Sequence, residues 1–327
     1  MTIERVCIIG AGTIGSLYAG HLAEVAEVLV LTRRPGHAQA LNEHSLRVTG
    51  KGERHARVAA ATDPGELPEF DLGIVATKTT DLEATALRLE GRFPDAVMMT
   101  VQNGLGAEEV IMRHGDWSLI SAVTFMSGRR HSDVEVEYEL DTATWLGPYA
   151  GTDTPFSVVS EARDLLLAAG LEAEAMPDLL PAQWSKLIFS AAVNGVAALT
   201  ELPHVAAFAD DAEPADLGHL VHDLIEEGKR VARAAGIELH DDPWRMNCRA
   251  VSRGETAGSE YAHRPSMLED VLARRATEVD AISGALVSEG ERLDVPVPLN
   301  AAVWRLVRGK QRSWGRGAPA GREEVPA

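Results

Sequence analysis

Val6-Cys7-Ile8-Ile9-Gly10-Ala11-Gly12-Thr13-Ile14-Gly15 decides the reading of this chain. A β-branched apolar run feeds directly into Gly-x-Gly-x-x-Gly, and Ser16 to Ala26 continues with helical composition. Strand, glycine turn and helix start in immediate succession give an otherwise weak motif its meaning. Gly10 permits a tight turn, Gly12 lets backbone approach a pyrophosphate, and Gly15 lets the helix pack close to the strand. The helix N-terminus offers unpaired N–H groups and a positive dipole end to phosphate. A dinucleotide site follows, formed by Gly10, Ala11, Gly12, Thr13, Ile14 and Gly15.

The second strand, Glu27 to Thr32, tests which dinucleotide binds. NAD-binding folds place Asp or Glu at its end, on the ribose 2′-hydroxyl. Here the chain reads Thr32-Arg33-Arg34, with no acid until Glu43. Guanidinium groups bind a 2′-phosphate through charge-assisted hydrogen bonds, whereas a carboxylate repels it. Unless both arginines are merely solvated, NADP(H) is favoured.

Working outward, strand and helix alternate to about residue 175. Buried strands are expected at Asp71–Thr77 and Ala96–Val101 and an apolar, strand-like stretch at Leu119–Ser127, with helices at Leu82–Leu89, from Ala107, and at Ser157–Ala169. A hairpin-like segment covers Leu46–Ala60, and Val134–Leu140 alternates like a half-exposed antiparallel strand. The rhythm predicts an α/β fold: an N-terminal Rossmann-type doubly wound sheet. Helical periods then dominate, at Ala182–Leu199, Ala215–Ala235, Pro243–Ser252, Ser266–Glu289 and Ala301–Arg308. The expected organisation is a cofactor-binding domain over 1–177, an all-helical substrate domain over 178–312, and a disordered tail over 313–327.

The 327 residues include 31 basic and 49 acidic side chains, for a net charge of −18. Such a surface repels nucleic acid and anionic lipid, and an anionic ligand must be drawn in by local basic groups. Cys7 and Cys248 make no disulfide framework, and Cys7 reads as a small buried hydrophobe. No secretory signal and no membrane-spanning stretch is visible, so a cytoplasmic enzyme is expected. His219 and His222 have ligand spacing but no third partner, and no metal is expected.

Open parallel sheets bind ligands beyond the carboxyl ends of their strands. Lys78 and Asn103 stand there, in Ala76-Thr77-Lys78 and Gln102-Asn103-Gly104; a surface lysine and an Asn-Gly turn are the bland alternatives. Lys186, Ser190 and Asn194 recur every four residues and share one helix face. That stripe either faces solvent or lines a cavity, and spacing alone favours solvent. Ser266 with Glu269 fits a capping box, Thr277 could cap a further helical segment, and Glu278 would lie in its first turn.

Together these blocks resemble the ketopantoate reductase (2-dehydropantoate 2-reductase) family, from about Val6 to Arg308. The residues that carry the resemblance are Gly10 to Gly15; Val75-Ala76-Thr77-Lys78; Gln102-Asn103-Gly104; Trp184-Ser185-Lys186-Leu187 with Asn194; and Ser266 to Asp270 with Arg275, Thr277, Glu278 and Asp280. The resemblance implies NADPH-dependent reduction of a 2-keto acid, ketopantoate first among the candidates. It implies Lys186 as the catalytic acid with Glu278 beside it, and Glu278 also on the cofactor side. Asn103, Ser190, Asn194 and Ser266 would meet substrate, Asn103 reaching the nicotinamide end as well. Arg33 and Lys78 would hold the 2′-phosphate, and the resemblance points to a homodimer; because pockets form preferentially at domain interfaces, the site is expected between the domains. One departure stands out: the family commonly has asparagine four residues after its lysine, where this chain has Ser190. A different 2-keto acid therefore stays open, as does a non-catalytic NADPH sensor, against which the presence of both Lys186 and Glu278 argues.

Overall fold

A computed structural model describes residues 2–140, 142–209, 215–256 and 263–314, which divide into compact units Met1–Ala182 and Gln183–Ala327. The first unit begins with β1 (Arg5–Ile9), α1 (Thr13–Leu22), β2 (Glu27–Leu31), α2 (Pro35–Glu43), β3 (Leu46–Gly50), β4 (Arg54–Ala56) and β5 (Ala59–Ala61). It continues with β6 (Leu72–Val75), α3 (Thr79–Leu89), β7 (Val97–Thr100), α4 (Ala107–Met112) and β8 (Ser118–Thr124). The small-sheet strands β9 (Ser127–Arg130) and β10 (Glu135–Leu140) follow, then β11 (Thr144–Pro148), α5 (Phe156–Ala168) and β12 (Ala173–Ala175).

The main sheet has eight strands in the order β12-β11-β8-β7-β6-β1-β2-β5, parallel except where β11 runs against β8. Alternate residues of β1 serve opposite faces. Val6 and Ile8 pack with Leu17, Tyr18 and Leu22 of α1 and Val159 and Leu166 of α5. Cys7 and Ile9 pack with Leu82, Ala86 and Leu89 of α3 and Ile111 of α4. A sheet covered on both faces reads as continuous apolar runs, which is why these strands were visible in the sequence. Burial pushes the Cys7 thiol up to about 12, leaving it inert as a nucleophile.

Four further strands form a separate sheet, β4-β3-β10-β9. The expected hairpin over Leu46–Ala60 is real only in part. β3 and β4 pair antiparallel, but β5 leaves them and joins β2 in the main sheet. The alternating stretch at Val134–Leu140 is β10, antiparallel to β9 and also parallel to β3. Gly128 on β9 packs against Leu17 and Thr13, so the small sheet lies close to the start of α1.

α6 (Leu180–Thr200) spans the division between the units, and its residues from Gln183 onward open the second, helical unit. This unit holds α7 (Asp216–Ala234), α8 (Pro243–Thr256), α9 (Ser266–Leu272), α10 (Ala285–Arg292) and α11 (Pro298–Ser313). The buried Glu227 carboxylate on α7 accepts the Leu299 and Asn300 N–H groups, supplying the first turn of α11 with acceptors.

Three expectations differ from the structure. Ser266–Glu289 is not one helix. α9 stops at Leu272, where Arg274 takes a left-handed φ of 50°, its N–H reaches Val271 O at 3.0 Å, and Arg275 N–H reaches Asp270 O at 2.8 Å. This is a Schellman ending with arginine where glycine is usual. Nor does Ser266 cap α9: Pro265 is the N-cap, and no side-chain cap bond forms. The expected tail starts too early, because Ser313 belongs to α11; residues 315–327 lie outside the described residues.

Candidate active site

The glycine turn follows the geometry its sequence requires. Gly10 has φ +103°, and a Cβ there would lie 2.8 Å from Thr77 N. At Gly15 a Cβ would lie 2.0 Å from Gly10 O, so only hydrogen lets α1 seat on its own turn. At Gly12 nothing stands within 4 Å of a Cβ. Gly12 is also the N-cap of α1 and offers no side chain to cap it. The open space at Gly12 and the uncapped start of α1 suit a pyrophosphate.

The carboxyl ends of β6 and β7 border this turn. Gln102 donates to Val75 O at 2.7 Å and Thr77 O at 2.9 Å, tying the two strand ends together. Lys78 is the N-cap of α3 and Asn103 follows Gln102; both are partly buried. Arg33 at the end of β2 is 77% exposed and donates to Asp81 Oδ1 at 3.1 Å. Sequence reasoning missed Asp81, whose approach to Arg33 depends on how β2 and α3 lie across the fold. Arg34 pairs with Asp133. The unit therefore brings the turn, Arg33, Lys78 and Asn103 to the ends of neighbouring strands. The glycine turn and the strand ends around it fit a dinucleotide.

In the helical unit α6 carries Lys186, Ser190 and Asn194. Ser190 and Asn194 are buried and Lys186 is partly so, which overturns the solvent-facing reading that spacing favoured. Spacing specifies a shared face but not what covers it. Just before Lys186, the Ser185 hydroxyl accepts the Asp241 N–H at 3.1 Å. Desolvation pushes the Lys186 ammonium down to about 8, while the Glu278 carboxylate pulls it back up. The site thus joins Lys186 to Glu278, which lies far along the chain.

The loop bearing Glu278 is anchored from several directions. Thr277 Oγ1 accepts from Val279 N, and Gln311 of α11 both accepts from Thr277 N at 3.1 Å and donates to Thr277 Oγ1 at 2.8 Å. Asp280 accepts from Trp304 Nε1 at 2.7 Å. Asp280–Gly284 is a π-helical turn, with Gly284 N–H reaching Val279 O, and it runs into α10. Such turns recur at functional sites, and this one begins two residues after Glu278. Ser266 is exposed at the start of α9, while Asp270 is buried and paired with Arg275 at 3.1 Å.

Residues 6–151 match the family described as ketopantoate reductase PanE/ApbA, and residues 178–311 match its C-terminal part. The chain belongs to the ketopantoate reductase family. The 2-dehydropantoate 2-reductase of Pyrococcus horikoshii is 29% identical over 312 residues, spanning 95% of this chain and 99% of its own. That of Halobacterium salinarum is 29% identical over 315 residues, spanning 94% and 99%. A crystal structure of a PanE/ApbA family ketopantoate reductase from Ralstonia eutropha JMP134 superposes with a TM-score of 0.82 at 26% identity, covering 96% of this chain and 100% of that one. D-mandelate dehydrogenase, solved with NADH and anilino(oxo)acetate, shares the fold at 22% identity and a TM-score of 0.83, covering 95% and 100%. Membership in the ketopantoate reductase family makes the chain an oxidoreductase of α/β architecture with a helical C-terminal region. Among the described residues, no helix is long and apolar enough to cross a membrane.

Proposed function

We propose that this chain is an NADPH-dependent 2-keto acid reductase that converts 2-dehydropantoate to pantoate, a cytoplasmic step toward pantothenate. The observation that carries the reading is Lys186, a desolvated ammonium held beside Glu278 in a member of the ketopantoate reductase family. A nicotinamide cofactor, when bound, would supply the hydride for the keto carbon. Negative charge then builds on the keto oxygen, and the Lys186 ammonium stabilises that charge and donates its proton there. Glu278 keeps the lysine charged against the cost of burial. Asn103, Ser190, Asn194 and Ser266 orient the substrate, and Gly10 to Gly15, Arg33 and Lys78 hold the phosphates.

The decisive experiment is a turnover assay with NADPH and a panel of 2-keto acids. Fastest turnover on 2-dehydropantoate supports the reading. Preference for another keto acid would place the difference at Ser190, and no turnover at all would favour an NADPH sensor.

Arg33→Ala should separate the two nicotinamide cofactors. Losing a hydrogen bond to a charged group costs about 1–3 kcal/mol. Because Arg33 is well exposed and must leave Asp81, the lower end is expected, near tenfold in NADPH Kd, with NADH almost unchanged. Equal loss for both cofactors in a fluorescence titration would reject the 2′-phosphate assignment.

The Lys186 shift also sets a pH limit. A general acid must be protonated, so kcat/KM for reduction should fall by about tenfold per pH unit above the lysine pKa, placed at about 8. The reverse oxidation needs the neutral amine and should rise through the same window. Glu278→Gln removes the group that raises this pKa, so it should move the alkaline limb toward lower pH. A limb that stays in place in this variant would show that Glu278 does not act on Lys186.

A further inference from the structure

Arg130 closes the small-sheet strand β9, yet its guanidinium lies at the glycine turn. Nη1 makes a long hydrogen bond of 3.4 Å to Ala11 O and stands 3.7 Å from Asp133 Oδ1. Asp133 also takes Arg34 from the end of the β2 segment. One carboxylate therefore pairs with two arginines, Arg130 at the end of β9 and Arg34 at the N-cap of α2. Among the described residues, Arg130 has one acceptor, Ala11 O, and an ion pair with Asp133, whereas a guanidinium presents five N–H donors in a planar fork. Arg130 keeps 38% of its side chain exposed, so part of that fork is open to a ligand.

The neighbourhood is cationic where the chain is not. Arg33, Arg34, Arg130 and Lys78 oppose Asp81 and Asp133 here, on a chain with a net charge of −18. A bidentate guanidinium matches phosphate oxygens in geometry as well as charge. Its bond is to the carbonyl of Ala11, the residue between Gly10 and Gly12, and a Cβ built at Gly12 has nothing within 4 Å.

We propose that Arg130 is a further cofactor-binding residue, reaching from the small sheet across the glycine turn to bind the dinucleotide pyrophosphate, with Asp133 as its positioning residue. This rests on the dinucleotide reading of the turn. It makes the small sheet part of the cofactor site, and it differs from the Arg33 assignment, because a pyrophosphate is common to NADH and NADPH.

The test is titration of the full chain with NADPH, NADH, ADP-ribose and 5′-AMP, for the wild type and for Arg130→Gln and Arg130→Lys. Glutamine keeps an N–H donor for Ala11 O and removes the charge; lysine keeps the charge. Arg130→Gln should weaken NADPH, NADH and ADP-ribose alike, each by about tenfold, as expected for a lost charge-assisted contact. Binding of 5′-AMP, which has no pyrophosphate, should stay within about twofold, and Arg130→Lys should recover much of the loss. Unchanged dinucleotide affinities in Arg130→Gln would overturn the proposal. So would a loss confined to NADPH, or a loss in Arg130→Lys as large as in Arg130→Gln. A wild type that binds none of the dinucleotides would instead overturn the cofactor reading itself.

Discussion

Lys186→Ala is expected to lower kcat by at least about 10²-fold, within the ~10²–10⁴-fold range of general acid catalysis. Alanine is the best helix former, so α6 persists and the change removes the ammonium rather than the scaffold. The residues assigned to the cofactor phosphates, Gly10 to Gly15, Arg33 and Lys78, all belong to the other unit. NADPH Kd should therefore change little while kcat collapses. Lys186→Arg should not rescue the rate, because a guanidinium holds its proton too tightly to donate it. Steady-state kinetics beside a fluorescence titration of NADPH separates the two effects. Turnover of Lys186→Ala within threefold of the wild type would show that the proton comes from elsewhere.

The candidate residues of the two units differ in how far they could be read before the fold was known. The glycine turn is local: a strand, a turn and a helix start occupy consecutive residues, and each glycine answers to a nearby steric demand. The buried parallel strands are equally legible, since both faces are covered and their runs stay apolar. The Lys186–Glu278 pair is not local. Its two members lie on α6 and on a loop near the end of the chain, and only family resemblance joined them. The face shared by Lys186, Ser190 and Asn194 could be read, but its burial depends on packing that spacing does not encode. The break after α9 escaped notice because Arg274 takes the left-handed position that glycine would have signalled. Arg130 carried no sequence signal at all: 119 positions separate it from Ala11.

Gly12→Ala and Gly15→Ala should fail in opposite ways, and together they test whether the turn serves a ligand. A Cβ at Gly15 would meet Gly10 O at 2.0 Å and Ile8 Cγ2 at 3.1 Å. The nearer obstacle is backbone within the same turn, so relief requires shifting the start of α1 or Gly10 itself. Overpacking of this kind costs about 1–3 kcal/mol, occasionally more, and Gly15→Ala should lower the melting temperature of the apoprotein accordingly. Dinucleotide affinity should fall with it, because the N–H groups of α1 move with the helix. A Cβ at Gly12 meets no protein atom within 4 Å, and its φ of −76° suits any L-residue. Gly12→Ala should therefore meet no steric obstacle, and apoprotein stability should fall by no more than about 1 kcal/mol, the usual cost of alanine at an N-cap. Its methyl group would nevertheless occupy the space through which a pyrophosphate approaches the backbone. NADPH and NADH Kd should both rise by at least about tenfold, or 1.4 kcal/mol. Thermal melts of both apoproteins, paired with cofactor titrations, give the comparison. A Gly12→Ala protein that is as stable as the wild type and binds both cofactors as tightly would show that the open space at Gly12 is not where the cofactor sits.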